Sequence, residues 1–160
     1  TAADEGVLRQ MGDEAVGVVT GAWYAAGIAS PDNRRFVEAV NKEFGVDPGY
    51  YTLGAFSSGA LIEAAARAVS GKVEDKEAFM KALRNPGALR DARGEWRIDE
   101  YGNPVGPMFI RKVERRGGKL VNAVVRVYPN VSQFWTYDAN QFLANPVYSR
   151  DYPPSKHLEP

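Results

Sequence analysis

Apolar and polar positions along this chain change period twice. Residues 1–14 are polar apart from Val7, Leu8 and Met11, and they lead into Ala15-Val16-Gly17-Val18-Val19-Thr20. That near-continuous apolar run, closed by Gly21, predicts a strand buried on both faces. A small-residue loop, Gly21 to Ala29, carries Trp23 and Tyr24. Ser30 suits a helix N-cap and Pro31 the first helical position. Phe36, Val37, Val40 and Phe44 then recur at helical spacing and Gly45 ends the segment, so a one-faced helix is expected over residues 32–44.

After the turn Asp47-Pro48-Gly49, the positions Leu53, Phe56, Ala60, Leu61, Ala64 and Ala68 predict a longer helix from Tyr50 to Ser70. Gly54 and Gly59 lower its propensity by about 1 kcal/mol each relative to Ala. Either a neighbour packs close against them or the first turn is frayed. Asp75 can cap a third helix, Lys76 to Leu83, which Asn85-Pro86-Gly87 breaks.

From there the period becomes that of strands, over Glu95–Asp99, Met108–Glu114, Lys119–Val127 and Gln133–Tyr137. Tyr101-Gly-Asn-Pro104 and the hairpin turn Arg115-Arg116-Gly117-Gly118 join them. The stretch Asp138 to Pro160, interrupted by Pro146, Pro153, Pro154 and Pro160, reads as an extended arm. The predicted class is α/β, with a strand, three helices and then antiparallel strands.

Composition narrows what such a chain can do. Its 160 residues, 44% apolar, suffice for one buried core. Twenty basic residues balance twenty acidic ones, which leaves no long-range field toward nucleic acid, an anionic membrane or a polyanion. Any ligand must be recognised locally. No Cys is present, so disulfides, thiolate nucleophiles and thiolate metal sites are excluded. The apolar runs fall far short of the roughly 20 residues that span a bilayer. The first residues, Thr-Ala-Ala-Asp-Glu-Gly, resemble neither a signal peptide nor a translation start and read as a cut end.

Candidate chemistry is sparse. The one His, His157, stands in the Pro-rich tail, where it is a poor general base, and Ser57-Ser58 lacks the Gly-x-Ser-x-Gly spacing of a nucleophile elbow. The paired serines read as helix-surface residues. Carboxylates such as Asp91, Asp99 and Glu100 lack the alternating spacing of a calcium loop, and no glycine-rich phosphate cradle occurs. No catalytic residue, metal ligand or cofactor is expected, although twenty acidic residues leave a carboxylate hydrolase as a rival reading. Aromatic residues are the more informative signal. Trp23 and Tyr24 follow the first strand, while Tyr50 and Tyr51 sit where a turn becomes a helix. Their apolar faces and polar tips suit a cleft for a small organic molecule, or half-buried packing with wet tips.

Three stretches together resemble type I periplasmic solute-binding proteins of ABC importers, of the leucine/isoleucine/valine-binding kind. These are Gly12 to Thr20; Pro31 to Val40 with Phe44-Gly45 and Pro48-Gly-Tyr-Tyr51; and Arg93-Gly-Glu-Trp-Arg-Ile-Asp99 with Gly102-Asn103 and Gly117 to Val121. The resemblance covers residues 12–125.

It implies a fragment, the C-terminal half, of a two-lobed fold with ligand held between the lobes. Residues 1–20 would end the second lobe and form a crossover strand, and 21–92 would be the helical part of the first lobe. Residues 93–137 would form the third crossover and the antiparallel strands of the second lobe, with 138–160 as a C-terminal arm. It further implies a periplasmic non-enzyme that captures a branched-chain amino acid or aromatic carboxylate for a membrane permease. A ligand-sensing domain of a receptor or regulator with the same fold is the alternative. Tyr50 and Tyr51 would face the cleft, and Arg93 and Trp96 would lie near its floor; Trp23 and Tyr24 are candidate ligand contacts on their aromatic chemistry alone. Alone, such a fragment should self-associate or swap elements to cover apolar surface.

Overall fold

The computed structural model describes residues 2–146. In chain order its elements are α1 (Glu5–Leu8), β1 (Val19–Ala22), α2 (Pro31–Phe44), α3 (Tyr50–Ala68), α4 (Lys76–Arg84), β2 (Leu89–Asp91), β3 (Gly94–Ile98), β4 (Pro104–Arg116), β5 (Lys119–Val131) and α5 (Ala139–Leu143). The local signals for α2 act as their chemistry dictates. The Ser30 hydroxyl accepts the Asn33 amide at 3.1 Å, and Gly45, in the left-handed region, ends the helix. Asp75 likewise accepts the Ala78 amide at 3.0 Å and starts α4.

β4 organises an antiparallel sheet. It pairs with β5 from Gly106 to Arg116, with β1 at Phe109 to Lys112, and with β3 at Pro104 and Val105; β2 adds to β3. Gly117 and Gly118, at φ 55° and 79°, form the tight turn between β4 and β5, since two consecutive positive φ values match the right-handed twist of the flanking strands.

Several expectations are corrected. The first strand is Val19–Ala22, because Asp13–Ala15 form a 3₁₀ turn and Val18 donates back to the Ala15 carbonyl at 3.1 Å. It is not buried on both faces: Val16, Val18 and Val19 are exposed, and β4 is its one strand neighbour among the described residues. Gln133–Tyr137 is a turn, with Trp135 at φ 55° and Phe134 packed edge-on against Tyr101 and Phe142. The arm begins with α5, whose first turn the Asp138 carboxylate caps through the Gln141 amide at 2.8 Å. From residue 147 on, the arm, with Pro153, Pro154, His157 and Pro160, lies outside the described residues. Ser57 is buried, although its neighbour Ser58 is exposed.

Buried apolar side chains gather in two separate clusters. One unites Tyr24, Phe36, Val40, Leu53 and Ala92, with Ile28 and Tyr50 against it. The other unites Ala3, Leu8, Ala15 and Val113, with Met11 and Leu120 against it. Helices α2 and α3 thus build one core, while α1 and the β4–β5 hairpin build the other.

Candidate functional site

Five of the six aromatic and basic residues singled out in the sequence form one continuous row. The Arg93 guanidinium lies 4.3 Å from the centroid of the Trp96 ring and 5.0 Å from that of Trp23. Trp23 in turn stands 5.8 Å from Tyr50, and Tyr50 4.2 Å from Tyr51. The row runs outward from Arg93 and Trp96, each 6% exposed, to Tyr51 at 71%. A cation between two aromatic faces and away from water gains more from the ring quadrupoles than it would at the surface.

Local backbone explains why these side chains meet. Trp23 follows β1, and its ring lies over α3 at Gly54, where a Cβ would approach the Trp23 ring edge to 3.2 Å. Close packing, rather than fraying, accounts for that glycine, since α3 is helical from Tyr50; Gly59 has no such neighbour. Arg93 is held by Asp91, whose Oδ1 accepts the Arg93 amide at 2.9 Å and whose Oδ2 accepts Nε–H at 3.2 Å. The buried Ser57 hydroxyl donates to the same Oδ2 at 2.5 Å. Burial pulls the Arg93 pKa below its ordinary value, with Asp91 opposing.

Tyr24 is separate from the row. It is fully buried, its hydroxyl donates to Asn33 Oδ1 at 2.9 Å, and its ring meets the edge of Phe36. Desolvation raises its pKa and keeps the phenol neutral. The chain bends at Trp23 just after β1, and Trp23 joins the row while Tyr24 enters the core.

Beside the row, residues 3–5 make a set of ties that sequence reasoning missed. Ala3 C=O accepts Asn122 Nδ2–H at 2.7 Å, Asp4 Oδ1 accepts the Tyr50 amide at 3.0 Å, and Glu5 Oε1 accepts the Ala26 amide at 3.0 Å. Glu5 Oε2 is 3.7 Å from Arg111 Nη1. Buried Arg111 also donates to the Tyr24 carbonyl at 2.8 Å and to Thr20 Oγ1 at 3.2 Å. A signal did exist for two of these residues: Asn122 interrupts an apolar run, and Arg111 falls between Phe109 and Val113 at the alternate positions of its strand.

A cavity of about 550 Å³ opens beside Glu5. Its walls come from the second cluster, through Leu8, Met11 and Leu120, and from α2 and the loop after it, through Val37, Asn41 and Val46. None of the six predicted residues lines it, but Asp4 ties it to the row through Tyr50. The volume falls in the range of small-molecule sites, about 300–1,000 Å³.

Among the described residues no group of three His, Cys, Asp or Glu could hold a metal. Ser57 is committed to a carboxylate, and no His lies among the described residues to act as its base. The arrangement is suited to holding a molecule.

Comparisons with known proteins agree on one class. A family model described as periplasmic binding protein matches residues 1–119. A solute-binding protein of an ABC transporter from Rhodopseudomonas palustris BisB5, solved in complex with 3,4-dihydroxybenzoic acid, is 34% identical with a TM-score of 0.75, over 81% of this chain and 35% of that one. An ABC transporter substrate-binding protein from Sphaerobacter thermophilus is 31% identical with a TM-score of 0.74, over 80% and 35% of the two chains. A leucine-, isoleucine-, valine-, threonine- and alanine-binding protein from Brucella ovis shares the fold at 16% identity and a TM-score of 0.65, over 79% and 35%. The chain therefore spans about a third of the length of the solved structures it matches. Among curated proteins none matches it significantly.

Proposed function

This chain belongs to the periplasmic binding protein family, and from that premise we propose that it is part of the solute-binding component of an ABC importer. The complete protein captures a small aromatic carboxylic acid between two lobes in the periplasm and delivers it to a membrane permease. It performs no chemistry on the ligand. No helix among the described residues is long and apolar enough to cross a membrane.

The observation that carries this reading is the cavity between the second apolar cluster and α2, the helix that supplies Phe36 and Val40 to the first. The division of those cores supports the assignment of lobes. Every buried member of the first cluster falls within residues 21–92, and every member of the second within 1–20 or 93–137. Asp4, Glu5 and Arg111 join the two sides where a hinge belongs, while Tyr50, Tyr51, Trp23, Arg93 and Trp96 form an aromatic and cationic row tied to Asp4 through the Tyr50 amide. The relative crystallised with 3,4-dihydroxybenzoic acid, at 34% identity, favours an aromatic acid. The amino-acid binder, at 16%, supports the fold alone.

Calorimetric titration of the complete protein with benzoate, 4-hydroxybenzoate, 3,4-dihydroxybenzoate and leucine tests the proposal. At least one aromatic acid is expected to bind at micromolar affinity and leucine far more weakly. Absence of heat with all three aromatic acids would overturn the reading.

A further inference from the structure

A second aromatic group stands where the β4–β5 hairpin gives way to α5. Phe134 packs edge-on against Tyr101, with 5.1 Å between ring centroids, and against Phe142 of α5 at 5.6 Å. Trp135 stands edge-on to Tyr128 of β5 at 5.5 Å, and Tyr137 lies 6.3 Å from Phe142. Phe134 is buried, but Trp135 is 54% exposed, Tyr137 is 69% exposed, and Phe142 and Leu143 are half exposed. Trp135 is moreover held at φ 55°, a backbone region that a bulky side chain rarely adopts. Adjoining exposed aromatic rings of this kind mark a surface that something covers.

The chain itself delivers a matching segment to this face. Asn145 closes α5, its Nδ2–H donating to the Phe142 carbonyl at 2.9 Å, so the chain leaves the helix beside a ring that already belongs to the patch. The residues that follow include Tyr148, Tyr152, Pro153, Pro154 and Leu158. Proline-rich segments dock on aromatic surfaces because their backbone is stiff beforehand and loses little entropy on binding. Tyr152 comes seven residues after Asn145, a reach of up to roughly 23 Å, and a tethered segment binds at a high effective concentration.

Charge around the patch fits the same segment. At one end the Arg126 guanidinium lies 4.6 Å from the centroid of the Tyr128 ring. At the other, desolvation and the nearby Glu100, Asp99 and Asp138 raise the Tyr101 pKa, so carboxylates rim that side. Arg150 and Asp151 stand side by side just before Tyr152 and offer a charge of each sign. We propose that residues 147–160 cover this face, with Tyr152-Pro153-Pro154 seated against Trp135 and Tyr137. The docked segment is an intramolecular clasp that shields the end of the hairpin.

Limited trypsin cleavage of the complete protein tests the clasp, because cleavage of a docked segment follows the population in which it is released. Cleavage after Arg150 and Lys156 is compared with that after Lys72, which lies exposed in the turn following α3. In the double variant Trp135→Ser with Tyr137→Ser, cleavage at the two tail sites should rise about tenfold relative to Lys72, as expected for losing roughly 1.4 kcal/mol of aromatic contact. Unchanged relative cleavage in a variant with native circular dichroism overturns the proposal and leaves the patch open to an external partner. If the double variant loosens the whole fold, and so raises cleavage at Lys72 too, Tyr152→Ser decides. Amide hydrogen exchange across residues 134–143 should then quicken in that protein, and exchange equal to the native rate overturns the clasp.

Discussion

Asp4 caps helix α3 from 46 residues upstream, its Oδ1 accepting the Tyr50 amide at 3.0 Å. The residue at the N-cap itself is Gly49, which has no side chain to do this. The same contact explains the glycine, since a Cβ at position 49 would run into the Asp4 carboxylate. One residue supplies the cap and the other makes room for it.

This coupling predicts a non-additive pair of variants. Asp4→Ala should lower stability by about 1 kcal/mol, the usual value of a lost N-cap. Gly49→Ala should be worse in the native background, where it forces the carboxylate off the helix, and distinctly milder once Asp4 has become Ala. Urea unfolding of the four proteins measures this, and strictly additive effects would refute the steric coupling.

Ser57, Asp91 and Arg93 form a buried chain in which the middle carboxylate accepts from three donors, one on Ser57 and two on Arg93. Ser57→Ala removes a neutral donor and leaves the charge pair intact, with an expected loss of about 1–2 kcal/mol. Asp91→Asn strands the guanidinium between Trp96 and Trp23 and should cost about 3–5 kcal/mol, the range for breaking a buried pair. Thermal unfolding of both variants checks the order, and an Asp91→Asn protein no weaker than Ser57→Ala would contradict it.

How much of this was legible beforehand depended on how local the cause was. Ser30-Pro31 with Gly45, and Gly117-Gly118, mark α2 and the hairpin because their own backbone chemistry suffices. Gln133 to Tyr137 looks like a strand because aromatic residues of high strand propensity fill it, yet Phe134 packs between Tyr101 and Phe142 and Trp135 takes a left-handed turn. In the site, bulky aromatics were visible as surplus, and five of six meet. Asp4 and Glu5 were not visible, and Asn122 showed only as a polar interruption in a strand. Their partners lie 46, 21 and 119 residues away, and nothing in their immediate neighbours encodes those contacts.

Glu5 should make stability depend on pH. Desolvation is the main cause that lifts its carboxyl from 4.5 to about 7, with the Ala26 amide and Arg111 opposing and Asp4 adding to the rise. The folded state therefore holds a proton that the unfolded state has already released, so stability falls as pH rises from about 4.5 to about 7. The loss from this group is at most about 3 kcal/mol, since each tenfold change in proton affinity is worth about 1.4 kcal/mol. Glu5→Gln should flatten that slope in urea midpoints taken across the window, and an unchanged slope would show that another group carries it.

The isolated chain should associate. Val19 is 61% exposed on a strand with one neighbour among the described residues, and Tyr51, Phe56 and Ile62 on α3 are exposed at 71%, 53% and 54%. An open, β-branched edge is a template for pairing with a second chain, and apolar helix faces add to the drive. Sedimentation velocity over a concentration series should therefore show species larger than a monomer, and Val19→Lys should shift them toward the monomer by placing a charge on the edge. A monodisperse monomer throughout, or association indifferent to Val19→Lys, would mean that β1 is not the surface through which copies meet.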